Sequence, residues 1–303
     1  MTWFEFLHGF CFRPFLQQQL TSRGLSFAQP PPRVPRTNAL HYQDPAGRLY
    51  HRRLAHLLTA RGHLPDIRTR LARYYDELFV DEVQDFAGHD FNFLLELCRA
   101  EISVLCCGDF YQHTFDTSHD GNVNSTLHDD ITRYEARFRT AGIMVDRETL
   151  SRTWRCSATV CEFITGQLNI RIAAHGTHTT LIETITDAER AVGLHADNTV
   201  IKLFYREHLR YGCHSLNWGV SKGLDHFHDV CIVMRPDHWK RLIRQELAVL
   251  PPSSRNRLYV ACSREHLFYS GKPSAQVQKM NQLLLSRAQS SKKAIRSTTK
   301  LQV

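Results

Sequence analysis

Apolar residues recur at spacings of three and four between His51 and Tyr75, at Leu54, Leu57, Leu58, Leu64, Ile67, Leu71 and Tyr74, with one break near Gly62 to Pro65. That period predicts two short helices. Upstream, residues 1–20 alternate aromatics with polar groups, and Gly24 to Asn38 contains Pro30, Pro31, Pro32 and Pro35. Prolines continue neither a helix nor a central strand, so a loop follows the first element. Downstream, Leu78-Phe79-Val80 and Ile102 to Cys107 read as short strands, and Phe91 to Cys98 between them has a helical period. This predicts a strand-helix-strand unit with polar residues at the C-terminal ends of both strands, where open α/β sheets place ligands. The second half repeats the alternation. Ala158 to Leu168 reads as a helix, Val200 to Phe204 and Val230 to Met234 as strands, His238 to Val249 as a helix and Leu258 to Ala261 as a strand. A boundary falls near Val145 to Leu150, and no tandem repeat is visible.

With 42% hydrophobic and 22% charged residues in 303, the chain can build one large or two ordinary domains. Disordered, collagen-like and disulfide-scaffold classes are excluded. Apolar runs such as Val230 to Met234 fall far short of the roughly 20 residues of a membrane helix. The first twelve residues carry an acid, a histidine and five aromatics, unlike a secretion signal. The expectation is a soluble protein with no membrane partner. Nine cysteines, an odd number set mostly in apolar runs, point to a reducing, intracellular, cytoplasmic setting. The net charge of +8 changes little, because His266 to Val303 holds seven Lys/Arg and no Asp/Glu, leaving +1 for the body. That basic segment reads as a solvated extension, so any nucleic-acid argument rests on particular residues.

The first chemical signal is Phe79-Val80-Asp81-Glu82-Val83-Gln84-Asp85, three carboxylates and an amide directly after a strand. Ionised carboxylates gathered there call for a cation or a basic partner. One carboxylate can hold Mg²⁺ through its water shell while its neighbour orients and deprotonates a water, as in phosphoryl transfer. The alternative is an acidic turn with Asp85 or Asp90 as N-cap of the next helix. After the second strand comes Gly108-Asp109-Phe110-Tyr111-Gln112, a glycine for close backbone approach and an amide able to sense a γ-phosphate or water.

At these residues the chain resembles the UvrD/Rep-type superfamily 1 helicases, whose motif II reads DExQD and motif III GDxxQ. Leu150-Ser151-Arg152-Thr153-Trp154-Arg155 is similar to motif IV, with Trp154 as its aromatic. Ser221-Lys222-Gly223-Leu224-Asp225 is similar to motif V, with Asp225 where the family usually has Glu, and with Asn217 and Gly219 in place of the usual Thr and His. Leu258-Tyr259-Val260-Ala261-Cys262-Ser263-Arg264 resembles motif VI, with Ser263 for Thr. Thr2-Trp3-Phe4-Glu5-Phe6-Leu7 resembles motif Ia, which contacts single-stranded DNA in this family.

The resemblance implies an α/β fold of two RecA-like P-loop NTPase-type domains with parallel sheets, the first lacking its N-terminal P-loop strand and helix. Residues 1–147 would form the partial first domain, 148–270 the second and 271–303 a basic tail. It also implies ATP and Mg²⁺ as cofactors, bound in the cleft between the domains, and single-stranded or partly duplex DNA as partner. Asp81 would hold Mg²⁺ and Glu82 would activate water. Gln112 would couple the γ-phosphate to DNA, and Arg155 and Arg264 would act on the phosphates. Gly108, Asp109, Gly223 and Asp225 would line the nucleotide, and Thr2, Trp3 and Phe4 the nucleic acid. Trp3 and Phe4 are the aromatics expected to offer faces to bases, and Phe6, Phe10 and Phe12 are expected in the core.

The family's motif I, G-x-x-x-x-G-K-[ST], occurs nowhere in the chain; Ser270-Gly271-Lys272-Pro273 has a proline at the hydroxyl position. Without that lysine and its backbone donors, the β- and γ-phosphates lose most of their binding groups. Two expectations stand: a fragment of a longer helicase, or a nucleic-acid-binding or regulatory module that has lost its P-loop. The fragment is the preferred one. About seventy residues separate Leu150 from Ser221, and about seventy-five separate motif Ia from motif II, whereas well-known members of the family carry large insertions there. A nuclease-associated ATPase is a third, weaker idea, with no carboxylate-lysine cluster to support it. Asp116-x-Ser118-x-Asp120-Gly121 starts like an EF-hand loop, but its twelfth position is Leu127, so it reads as a polar loop. Cys213, His214, His226, His228 and Cys231 match no zinc-finger spacing.

Overall fold

A computed structural model describes residues 1–224, 226–227 and 229–264, together with the backbone of 266–270. The chain divides into two units, Met1–Asp146 and Arg147–Val303.

The first unit opens with a reciprocal cap. The Thr2 hydroxyl accepts from the Glu5 amide at 3.3 Å, and the Glu5 carboxylate accepts from the Thr2 N–H at 2.7 Å. A helical run follows as α1 (Trp3–Glu5), a π-helical stretch (Phe6–Phe12) and α2 (Arg13–Leu16). Its inner side buries Leu7, Cys11, Phe12 and Leu16. After β1 (Leu25–Ser26) and its parallel partner β2 (Leu49–Tyr50) come α3 (His51–Ala60) and α4 (Leu64–Tyr74). These are the two helices the apolar period predicts. Gly62, at φ +76°, makes the break, and Pro65 sits in the first turn of α4, where its missing N–H leaves no bond unmade.

The predicted strand-helix-strand unit is present as β3 (Glu77–Val80), α5 (Gly88–Leu97) and β4 (Ser103–Cys106), the strands pairing in parallel with Val80 opposite Cys106. One face of this pair meets the core through Leu78, Val80, Val104 and Cys106. On the other face Phe79 and Leu105 are 67% and 52% exposed. The alternative of Asp85 or Asp90 as N-cap does not form: Ala87 occupies that position without a side-chain bond. Asp90 instead lies in the first turn of α5, fully buried. α6 (Ile131–Thr140) closes the unit, packing Tyr134 and Phe138 with Phe91 and Phe110.

The second unit is built on a five-stranded, wholly parallel sheet. In chain order its strands are β7 (Ile182–Ile185), β8 (Ile201–Phe204), β9 (Ser215–Asn217), β10 (Asp229–Val233) and β11 (His266–Ser270), and they lie in the order β7-β11-β10-β8-β9. Every residue of β8 and all but the first of β10 are buried, as a parallel strand covered on both faces requires. A short pair, β5 (Arg152–Thr153) with β6 (Ala173–Ala174), stands apart from the large sheet. The helices are α7 (Ala158–Leu168), α8 (Ala188–Ala196), α9 (Pro236–Ile243) and α10 (Pro252–Cys262).

Two predicted elements change here. Leu258 to Ala261, expected as a strand, lies inside α10, which Pro252 starts and whose residues 258–262 are all buried. A short apolar run buried on every side looks the same in a helix as in a strand. The helix expected over 238–249 stops at Ile243. Gln245 takes a left-handed φ of 58°, its N–H reaching the Leu242 carbonyl at 3.1 Å while the Glu246 N–H reaches that of Arg241 at 2.8 Å. This is a Schellman stop made without glycine, and a separate 3-10 turn covers Leu247–Val249. Among the described residues no helix is long and apolar enough to cross a membrane. The nine cysteines are free thiols.

Candidate functional site

In the first unit, the parallel pairing of β3 and β4 brings their C-terminal ends side by side, and the two loops that follow are bonded together. The Cys107 N–H reaches the Val80 carbonyl at 2.8 Å, and the Val83 N–H reaches the Cys107 carbonyl at 3.0 Å. Asp81 and Glu82 emerge exposed at this edge, with the Asp81 carboxylate accepting from the Glu82 N–H at 2.8 Å. Glu82 is left-handed at φ 54°, a conformation unusual for a residue with a side chain and one that collects at functional turns.

The two loops are clamped by Gln84, which is completely buried. Its carbonyl Oε1 accepts from the Asp109 backbone N–H at 3.1 Å, and its Nε2 donates to the Glu82 carboxylate. Gly108 is required by this clamp. A Cβ there would lie 2.2 Å from Gln84 Oε1 and 2.9 Å from Val83 Cγ2, closer than atoms approach. Asp109 then caps the 3-10 turn Phe110–Gln112, accepting from the Tyr111 N–H at 3.0 Å, and its other oxygen accepts from Gln112 Nε2 at 3.1 Å. Asp81, Glu82, Gly108, Asp109 and Gln112 therefore form one bonded edge of acidic and amide groups.

The three N-terminal residues are placed differently from one another. Thr2 caps the first helix. The Trp3 ring is half-buried between both apolar clusters of its unit, edge-on to Phe86 at 4.7 Å, and its Nε1 donates to Asp90 at 3.0 Å. That placement departs from an open stacking face, because the indole N–H has found a buried carboxylate. Phe4 is half-buried, edge-on to His51 at 4.9 Å and to the exposed Phe27 at 5.7 Å.

In the second unit, Arg155 is half-buried at the end of β5, and its backbone N–H bonds the Thr153 hydroxyl at 3.2 Å. Trp154 beside it is 79% exposed and stacks on His175 at 3.7 Å. Arg264 is only 2% exposed. Its guanidinium donates to the Ser263 carbonyl at 2.6 Å and to the Ser221 carbonyl, so the segments around 221 and 264 are tied together. Gly223 is exposed with φ +73°. Asp225 and the segment 271–303 lie outside the described residues.

A cluster that sequence reading passed over lies just past Gln112. His113, Asp116 and His128 bring one ligand atom each to within 4.8 Å of one another. Burial, with the nearby His113, pushes the His128 imidazole down to about 3, so it is neutral across the physiological range. The His113 hydrogen bond holds the Asp116 carboxyl below its ordinary value. The spacing His-x-x-Asp after Gln112 was the available signal; His128, fifteen residues on from His113, was not predictable as its neighbour. The other polar residues of the EF-hand-like stretch are occupied otherwise. Asp120 pairs with Arg53 at 3.0 Å, and the Ser118 hydroxyl donates to the Arg52 carbonyl at 2.8 Å.

No family model matches the chain and no curated protein is similar to it. Among solved structures it is similar to a crystal structure of Arterivirus nonstructural protein 10 (helicase), at 17% identity and a TM-score of 0.39, over 71% of this chain and 52% of that one. A complex of Arterivirus nonstructural protein 10 (helicase) with DNA aligns at 19% identity and a TM-score of 0.37, over 69% of this chain and 42% of that one. The chain thus spans about half of those proteins or less, and TM-scores this low bear on neither site nor activity.

Proposed function

We propose that the chain is the motor portion of an ATP-dependent DNA helicase or translocase of the UvrD/Rep type, with RecA-like domains. The observation that carries this reading is the Gln84 clamp. It binds the DExQD loop to the GDxxQ loop through Glu82 and the Asp109 amide, over a glycine that admits no side chain. Mg²⁺ fits the donor set, since Asp81 and Glu82 are hard oxygen donors exposed at a strand end. Bound there with ATP, the ion would supply charge neutralisation for the transferred phosphoryl group.

In this reading Asp81 would hold the ion. Glu82, aimed by its left-handed backbone and by Gln84 Nε2, accepts the proton of the attacking water. Gln112, oriented by Asp109, contacts the γ-phosphate or that water. Arg155 is the second unit's phosphate-reaching arginine. Arg264 acts by positioning, since its guanidinium is committed to the Ser221 and Ser263 carbonyls. The exposed faces of Trp154 and Phe27 are suited to stacking unpaired bases.

One observation favours a second reading, a non-catalytic nucleic-acid-binding module: the 303 residues contain no G-x-x-x-x-G-K-[ST]. ATP hydrolysis by the purified chain, with and without single-stranded DNA, beside Glu82→Gln, separates the two. A DNA-stimulated rate that falls by about a hundredfold or more in Glu82→Gln supports the motor. Equal rates in both proteins remove Glu82 as the base. No turnover by this chain, restored when the coding region just upstream of Met1 is added back, supports the motor as a fragment; no turnover even then, with DNA binding that ignores ATP, supports the binding module.

A further inference from the structure

Three imidazole or carboxylate groups converge at the start of the 113–128 loop. His113 Nδ1 lies 2.7 Å from the Gln84 carbonyl, a bond in which the nitrogen donates. That anchors the ring through Nδ1, the outer-shell arrangement typical of a metal-ligating histidine, and a bound cation would take the place of the proton that Nε2 shares with Asp116. His113 Nε2 faces the Asp116 carboxylate at 3.3 Å. The His128 ring lies parallel to that of His113, with centroids 3.4 Å apart and planes 6° apart, so sharing one ion requires one ring to turn out of the stack. His128 Nε2 is buried without a hydrogen-bond partner, an orphaned nitrogen that an ion pair between His113 and Asp116 does not explain. Phe110 and Tyr134 flank His128 at 6.2 and 5.5 Å, giving the cluster an apolar wall.

From this geometry we propose that His113, Asp116 and His128 bind a divalent transition-metal ion of the zinc class. Two imidazoles and one carboxylate suit such an ion, and the remaining position is open to water or to His119, whose Nδ1 is 3.7 Å from the second Asp116 oxygen. The ion joins the loop that carries His128 to the turn that ends in Gln112, and through the His113–Gln84 bond to the clamp between the two strand ends. The site stands independently of the helicase reading, because none of its ligands is a residue assigned to the nucleotide.

The test is titration of the chelator-stripped full chain with Zn²⁺ by calorimetry, and with Co²⁺ by absorption. Expected are one equivalent bound, visible Co²⁺ d–d bands without a sulfur-to-cobalt charge-transfer band, and a higher melting temperature with Zn²⁺. Asp116→Asn, which keeps the size of a half-buried side chain, weakens binding by more than about tenfold, and His128→Gln does the same. Metal-free melting curves report whether either variant is folded, and Asp116→Asn alone decides the matter if His128→Gln is not. Absence of a bound equivalent, affinity unchanged in Asp116→Asn, or a thiolate charge-transfer band overturns the site.

Discussion

The indole Nε1 of Trp3 donates to Oδ2 of Asp90 at 3.0 Å, joining residues 87 positions apart. Asp90 is completely buried on α5, and Trp3 packs against both apolar clusters of the first unit, so this bond ties the N-terminal helix to the interior.

Burial pushes the Asp90 carboxyl from 3.8 up to about 7, partly opposed by bonds from Trp3 and Thr117. The folded state therefore holds this proton more tightly than the unfolded chain. The stabilisation is complete below about pH 4 and is lost as pH rises through about 7, a difference of up to about 4 kcal/mol. Urea unfolding across that window should show stability falling with pH. Asp90→Asn keeps an acceptor for Trp3 and carries no charge, so its profile should be flatter and its stability at pH 8 higher than that of the parent. An unchanged slope would mean that Asp90 is not the titrating group.

At Gly108 the missing side chain is what permits the clamp. Gly108→Ala would drive a methyl into Gln84 Oε1, so Gln84 must withdraw and strand the Asp109 amide. The expected loss is about 1–3 kcal/mol. Hydrogen exchange at Asp109 should quicken, and any ATPase activity should fall with it. Retained protection at that amide would show the clamp to be dispensable.

Arg264 is buried with its guanidinium on backbone carbonyls, so its first role is structural. Arg264→Met fills similar space but leaves the Ser221 and Ser263 carbonyls without that donor. A loss of about 3 kcal/mol is expected, with faster exchange around 218–224. A melting temperature equal to the parent's would argue that the arginine turns outward in solution.

Phe79 and Leu105 lie exposed on one face of the β3–β4 pair, whereas parallel sheets are ordinarily covered on both faces. Replacing both with Ser should change unfolding free energy by no more than about 0.5 kcal/mol. A large loss of stability would show that this face is covered in solution.

Much of the local structure could be read along the chain. The period from His51 to Tyr75 predicts α3 and α4, and Gly62 with Pro65 predicts the break, because apolar spacing and backbone constraint act within a few residues. The acid and amide clusters after β3 and β4 were legible for the same reason: a short apolar run followed at once by charge identifies a strand end. The alternation failed at Leu258 to Ala261, where an apolar run buried on all sides has no period to distinguish helix from strand.

The partners of these groups come from packing across long separations in the chain. Gln84 reads locally as one polar residue among acids, and pairing of β3 with β4 makes it the clamp on Asp109. Trp3 reads as an exposed aromatic until Asp90 meets it from 87 residues away. Arg264 reads as an arginine that would act on the phosphates, and packing turns it onto the Ser221 carbonyl. His128 carries no signal in its own neighbourhood, and stacking on His113 makes it a ligand candidate. The sequence determined which chemical groups stand at each strand end, since that depends on neighbours along the chain. Their partners were set by burial, which pairs polar groups across long separations because leaving them unpaired away from water costs about 1–3 kcal/mol each.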